Sequence, residues 1–184
     1  MNTDTHAAAV SQKTQNTLSG MNLNIPEVSI DEGFVARLKS FLEGKITWAQ
    51  VEGWTPQMAY RFASLGFDLM RSGKLEDSKR VFSSLHTINP KDWYFPYSLA
   101  QVERLMGNHE QALDLLDRSI AIDPTMAEPW LLKGICQMEM GSTKDARESL
   151  IQSLELGKKR TSVEMTCPTV PLSTALLERL SSDN

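Results

Sequence analysis

The strongest constraint on this 184-residue chain is a rhythm that returns at an interval of 34 residues between Met58 and Lys158. Gly66, Gly73, Ser78, Phe82 and Pro90 set it; Ala100, Gly107, Ala112, Leu116 and Pro124 repeat it; Gly134, Gly141, Ala146 and Leu150 repeat it again. Each landmark has a physical reason. A small residue at Gly66, Ala100 and Gly134 lets a second helix approach closely. Gly73, Gly107 and Gly141 supply the left-handed backbone that ends a first helix. Ala112 and Ala146 suit a tight helix crossing, and Pro90 and Pro124 stop the second helix. Gly157 is expected to close the last helix where a third proline would fall. The chain therefore predicts a stack of helix pairs, each covering the hydrophobic face of the one before.

Composition narrows the function classes. A hydrophobic content of 41% in a chain this long suits one domain of ordinary size. The net charge of −4 and a pI near 5.4 argue against a nucleic-acid partner. Two cysteines, Cys136 and Cys167, are too few for a disulfide or zinc framework and fit a reducing cytoplasm. No apolar run is long enough to span a bilayer, and Ala7 to Val10 is too short for a signal-peptide core. A cytoplasmic location without membrane insertion is the expectation.

Taken in order, residues 1–28 read as a flexible tail, being rich in Asn, Thr, Ser and Gln. A helical segment occupies 29–54. Ile30, Phe34, Leu38, Phe41 and Leu42 share one helical stripe that Gly44 ends, and a short helix from Thr47 carries Trp48 and Val51. That stripe either covers the open face of the first repeat or makes a dimer contact through Phe34, Leu38 and Phe41. The repeats fill 55–158 as units 57–90, 92–124 and 126–157. Thr55-Pro56 is a helix entry, and the predicted helices run near 56–72, 75–88, from between Asp92 and Pro96, and near 126–140 and 143–156. Thr125 is the expected cap of the third repeat. Residues 159–184 form a linker and a closing helix with Leu172, Leu176, Leu177 and Leu180 on one face, and Lys158 to Arg160 favour a helix C-terminus.

The period and landmarks resemble the tetratricopeptide repeat, which implies an all-α fold: three repeats in a right-handed helical solenoid, with N-terminal helices and a C-terminal capping helix. In that repeat the first helices line a concave groove. By its register the groove-facing residues are Tyr60, Ala63, Phe67, Met70 and Arg71, then Tyr94, Tyr97, Gln101, Arg104 and Leu105, then Glu128, Leu131, Ile135, Met138 and Glu139. All three tyrosines fall there. Aromatic rings with one polar end suit a peptide interface, and methionine adapts to varied partners. The competing reading is that some, Phe67 and Leu105 among them, pack between repeats. Tetratricopeptide domains that clamp acidic chaperone C-termini use Lys and Asn in the groove; Ala63 and Phe67 stand there instead, which disfavours that partner.

Catalytic chemistry is not expected. His6, His86 and His109 are scattered without a ligand set or triad, Cys136 reads as a buried small hydrophobe, and the glycines are helix stops or packing points. The reading is a binding module with no enzyme activity, no cofactor and no metal.

The chain is further similar to the translocator chaperones of bacterial type III secretion, the class II chaperones of SycD/LcrH type. Tyr60, Leu65, Gly73-Lys74-Leu75-Glu76-Asp77, Val81-Phe82 and Leu85 carry the likeness, over about residues 30 to 158. Ser78 stands where alanine is usual, and Leu99 to Glu103 replaces a glycine-rich stretch. The resemblance implies a groove that holds an extended segment of a pore-forming translocator before export, and a homodimer through the N-terminal helices. The alternative is a general scaffold joining soluble proteins in a bacterial assembly.

Overall fold

A computed structural model describes residues 32–161 and 167–182. The tail read over residues 1 to 28, the side chain of Phe34 and the middle of the expected linker lie outside the described residues. The chain separates into two units, Met1–Val35 and Ala36–Asn184. Among the described residues there are nine helices and no strand. They are α1 (Glu32–Leu42), α2 (Trp48–Val51), α3 (Pro56–Arg71), α4 (Leu75–Ile88), α5 (Tyr94–Leu105), α6 (His109–Ile122), α7 (Ala127–Glu139), α8 (Thr143–Thr161) and α9 (Thr169–Ser182).

Helices α3 to α8 form three pairs, and each pair packs on the next: α4 on α5, and α6 on α7. The turns inside the pairs are short because Gly73, Gly107 and Gly141 sit at φ of 75°, 81° and 80°, a conformation that glycine alone enters without cost. Thr55 starts α3 as its sequence suggests: its side chain accepts the Met58 N–H, and Pro56 fills the first turn.

Gly66 and Gly134 are packing points. A Cβ at Gly66 would stand 2.7 Å from the Phe82 ring, and one at Gly134 2.7 Å from Leu150. Phe82 and Leu150 are fully buried, so each large residue of a second helix occupies the space its paired glycine leaves. The Ser78 hydroxyl, in place of alanine, donates to the Gly66 carbonyl at 2.8 Å, so the buried polar atom is satisfied. Three apolar clusters follow along the stack. Phe82, Leu85, Phe95 and Val102 centre the first, Ala100, Ala112, Leu116 and Leu132 the second, and Ala146, Leu150 and Leu180 the third.

Three expectations need correction. The helix that Gly157 was to close runs through it to Thr161. Gly157 is instead a third packing point, where a Cβ would meet Thr169 Oγ1 at 2.7 Å and Val170 Cγ2 at 2.8 Å, and a docked helix allows no side chain there. Thr125 does not cap α7; Met126 holds that place. The Thr125 N–H and hydroxyl both donate to Asp123 Oδ1, which folds the turn locally. Leu172 is 45% exposed; α9 buries Thr169, Ser173 and Leu180, with Leu176 and Leu177 partly buried. Met58, Phe62 and Leu65 on α3 remain 45%, 49% and 49% exposed.

Candidate functional site

The first helices of successive repeats bring aromatic residues into one strip. Tyr60 on α3 meets Tyr94 on α5 with ring centroids 5.6 Å apart. Tyr94 lies 6.1 Å from Phe67 and 6.4 Å from Tyr97, in edge or tilted geometry that aromatic pairs prefer. Asp92 sets the strip. Its Oδ2 accepts the Tyr60 hydroxyl at 3.1 Å and its Oδ1 the Tyr94 N–H at 3.0 Å. One carboxylate thus ties the end of one repeat to the first helices of two.

The rings differ in how far they face solvent. Tyr60 is 45% exposed. Phe67, Met70, Tyr94 and Tyr97 are half-buried: the first three lean on the first cluster, where Phe67 packs edge-on to Phe82 at 5.0 Å, and Tyr97 leans on the second. Ala63 is buried. Burial, aided by the Asp92 charge, pushes the Tyr60 hydroxyl up to about 12. Burial, aided by Glu128, pushes Tyr97 up to about 12, and burial with Asp92 raises Tyr94. All three therefore stay neutral donors across physiological pH.

The strip changes character towards the third repeat. Arg104 Nη1 donates to Glu139 Oε1 at 2.6 Å, joining α5 to α7, and Arg160 Nη1 donates to Glu128 Oε1 at 2.8 Å. Gln101 and Ile135 are half-buried, and Leu105 is 48% exposed rather than packed between repeats. Leu131 and Met138 pack on the third cluster beside Leu176 and Leu177 of α9, so the closing helix takes part of that apolar surface. His109 is no isolated turn residue, since its Nδ1 lies 3.5 Å from Glu139 Oε2. Cys136 is buried, and burial raises its thiol to about 11. It is a packing atom rather than a nucleophile. In the N-terminal segment Leu38 is half-buried, and Phe41 packs edge-on to Trp48 at 5.5 Å.

Sequence register missed Asp92 and Trp93, which fall just outside the groove-facing positions. Trp93 lies 5.8 Å from the Tyr97 ring and its carbonyl accepts the Ser119 hydroxyl at 2.8 Å. The signal was the spacing Asp92-x-Tyr94, in which an Asp side chain accepts the N–H two residues on. Among the described residues no group of His, Cys, Asp or Glu could hold a metal ion, and no helix is long and apolar enough to cross a membrane.

Comparison with known proteins bears on the fold. The tetratricopeptide repeat family matches residues 103–163. Low calcium response locus protein H of Yersinia pestis is 24% identical over 130 residues, which is 71% of this chain and 77% of that protein. Superkiller protein 3 of Schizosaccharomyces pombe is 25% identical over 109 residues, but the match spans only 8% of its length. Among solved structures, the translocator chaperone SycD of Yersinia enterocolitica superposes with a TM-score of 0.67 at 21% identity, covering 73% of this chain and 98% of that one. PcrH of Pseudomonas aeruginosa, solved with the chaperone binding region of PopD, superposes with a TM-score of 0.63 at 19% identity, covering 71% and 96%. The likeness at these identities is one of fold: the described helices share the all-α, tetratricopeptide-like solenoid fold of SycD and PcrH.

Proposed function

We propose that this chain is a cytoplasmic chaperone of type III secretion, holding an extended segment of a translocator on the first-helix face until export. The observation that carries the reading is the aromatic strip of Tyr60, Tyr94 and Tyr97, presented by consecutive repeats and pinned by Asp92. A client that will insert into a membrane exposes apolar segments that aggregate early. A groove that buries one segment suppresses this. Large rings on a rigid helical frame supply contact area at low entropic cost. PcrH, whose fold the chain shares, holds the chaperone binding region of PopD.

The test is co-expression with a membrane-inserting translocator of the same secretion system, read as soluble complex. Tyr60→Ala is expected to weaken binding about tenfold and Tyr60→Ala with Tyr97→Ala about a hundredfold, taking about 1.4 kcal/mol for each anchor. Circular dichroism checks the fold separately, because Tyr97 also packs against the second cluster. Lys144→Ala, on the exposed first turn of α8, should leave binding unchanged. A folded double variant that keeps full affinity would remove the groove as the site. A soluble partner bound in place of the translocator would favour the scaffold reading.

A further inference from the structure

At the N-terminal end of the aromatic strip a cleft of about 480 Å³ opens between α2, the start of α3 and the turn from Asn89 to Trp93. That volume lies within the range of sites that hold small ligands or several side-chain atoms of a peptide. Trp54, Tyr60 and Trp93 line it with aromatic surface, and Ala59, 4% exposed, contributes a small residue that leaves room. Its charged lining is lopsided. Asp92 has both oxygens occupied, one by the Tyr60 hydroxyl and one by the Tyr94 N–H. Lys91 gives one N–H to the Gly44 carbonyl at 2.9 Å and keeps two. Lys45 pairs with Glu43 at 2.8 Å, yet its side chain is 70% exposed, and such a surface pair exchanges partners at little cost.

We propose that this cleft is a second subsite continuous with the groove, and that it takes a bulky apolar side chain of the client with a carboxylate next to it. The proposal rests on the groove being the client site. Tyr60 is the joint between the two, because the same ring pairs with Tyr94 in the strip and lines the cleft. An extended segment lying on Tyr94 and Tyr60 therefore reaches Trp54 and Trp93 without leaving the surface. The aromatic walls select an apolar side chain, and the two lysines select acidic over basic neighbours. The subsite is expected to set which end of the client segment lies at the first repeat, because only one end would carry that apolar–acidic pair.

Two capped dipeptides test the cleft without knowledge of the client: N-acetyl-Phe-Glu-amide and N-acetyl-Phe-Lys-amide, titrated into the full chain. Proton–nitrogen spectra resolve the indole signals of the four tryptophans, assigned by single Trp→Phe replacements. The Glu probe should move the Trp54 and Trp93 signals and leave Trp130 still, with an affinity about tenfold above that of the Lys probe. Lys45→Glu with Lys91→Glu should invert that preference, and the Lys45→Gln, Lys91→Gln pair should abolish it with the fold kept. Equal response to both probes, or no movement at Trp54 and Trp93, overturns the proposal. Fluorescence anisotropy of the labelled chaperone binding region of PopD reads the groove separately. Binding of that region with silent dipeptides sinks the cleft and leaves the groove standing. Dipeptide binding with neither the PopD region nor a co-expressed translocator held sinks the groove reading, and the subsite with it.

Discussion

Gly66 and Ser78 show what one atom decides. The glycine exists so that the Phe82 ring can lie against the backbone of α3, and the serine hydroxyl then closes the gap by bonding the glycine carbonyl. Gly66→Ala is expected to lower stability by about 1–3 kcal/mol, the cost of overpacking, despite the better helix propensity of alanine. Ser78→Ala removes one neutral hydrogen bond and should cost about 1 kcal/mol or less. Thermal unfolding of both variants checks the pair, and a Gly66→Ala protein more stable than wild type would refute the packing argument. The tyrosines make a separate prediction. Tyr60 and Tyr97 rise in the fold from 10.0 to about 12. A raised acid is held neutral by the folded state, so the stability it lends is whole below pH 10 and is lost as pH rises through 12. Tyrosinate absorbance should therefore stay low in the folded protein at pH 10.5 and appear together with unfolding.

At the scale of the element, α9 is held by small polar groups as well as by Leu180, Leu176 and Leu177 of the third apolar cluster. Ser173 donates to the Ser153 hydroxyl at 3.1 Å, Ser153 to the Ala127 carbonyl at 2.9 Å, and Gly157 lies against Thr169 and Val170. Arg147 Nη2 adds a bond to the Leu180 carbonyl at 3.0 Å. Gly157→Val should push α9 off α8, so amide exchange of residues 169–182 would quicken while that of α3 to α6 stays slow. Uniform exchange across the chain would contradict this. At the other end, α1 leaves Leu42 77% exposed and Val35 54% exposed, seven residues apart on one helix. We expect the wild type to be dimeric by light scattering and Leu38→Glu with Leu42→Glu to give folded monomer. A monomeric wild type removes that contact.

Along the helix pairs from α3 to α9 the packing is serial, since each pair meets mainly its neighbours, and stability becomes a sum of repeat and interface contributions. A second polar tie, beside that of Tyr60 to Asp92, crosses the first boundary. Glu103 on α5, 4% exposed, pairs with Lys79 on α4 at 2.9 Å and accepts from Asn108 Nδ2 at 2.9 Å. Glu103→Ala should cost about 1–3 kcal/mol, because a charged hydrogen bond is lost at a buried site. Exchange protection should fall most in α4 and the turn before α6. A change confined to α8 and α9 would show that the tie does not couple the first two repeats.

The 34-residue rhythm alone determined the helix pairs, their turns at Gly73, Gly107 and Gly141, and the close approaches at Gly66 and Gly134. These are consequences of local backbone freedom and of periodic burial, both written in residue type and spacing. Gly157 defeated that reasoning because glycine serves a helix end and a helix contact alike, and only the docked position of α9 tells them apart. The groove-facing register collected Tyr60, Tyr94 and Tyr97, since position on a helix follows from counting. It did not find Asp92, Trp93, Trp54 and the lysines of the cleft, which lie in turns far apart in sequence and become neighbours only when α2, α3 and the turn before α5 come together. Which rings face solvent was likewise settled by tertiary packing, because Phe67 and Met70 share the register of Tyr60 yet lie against the first apolar cluster.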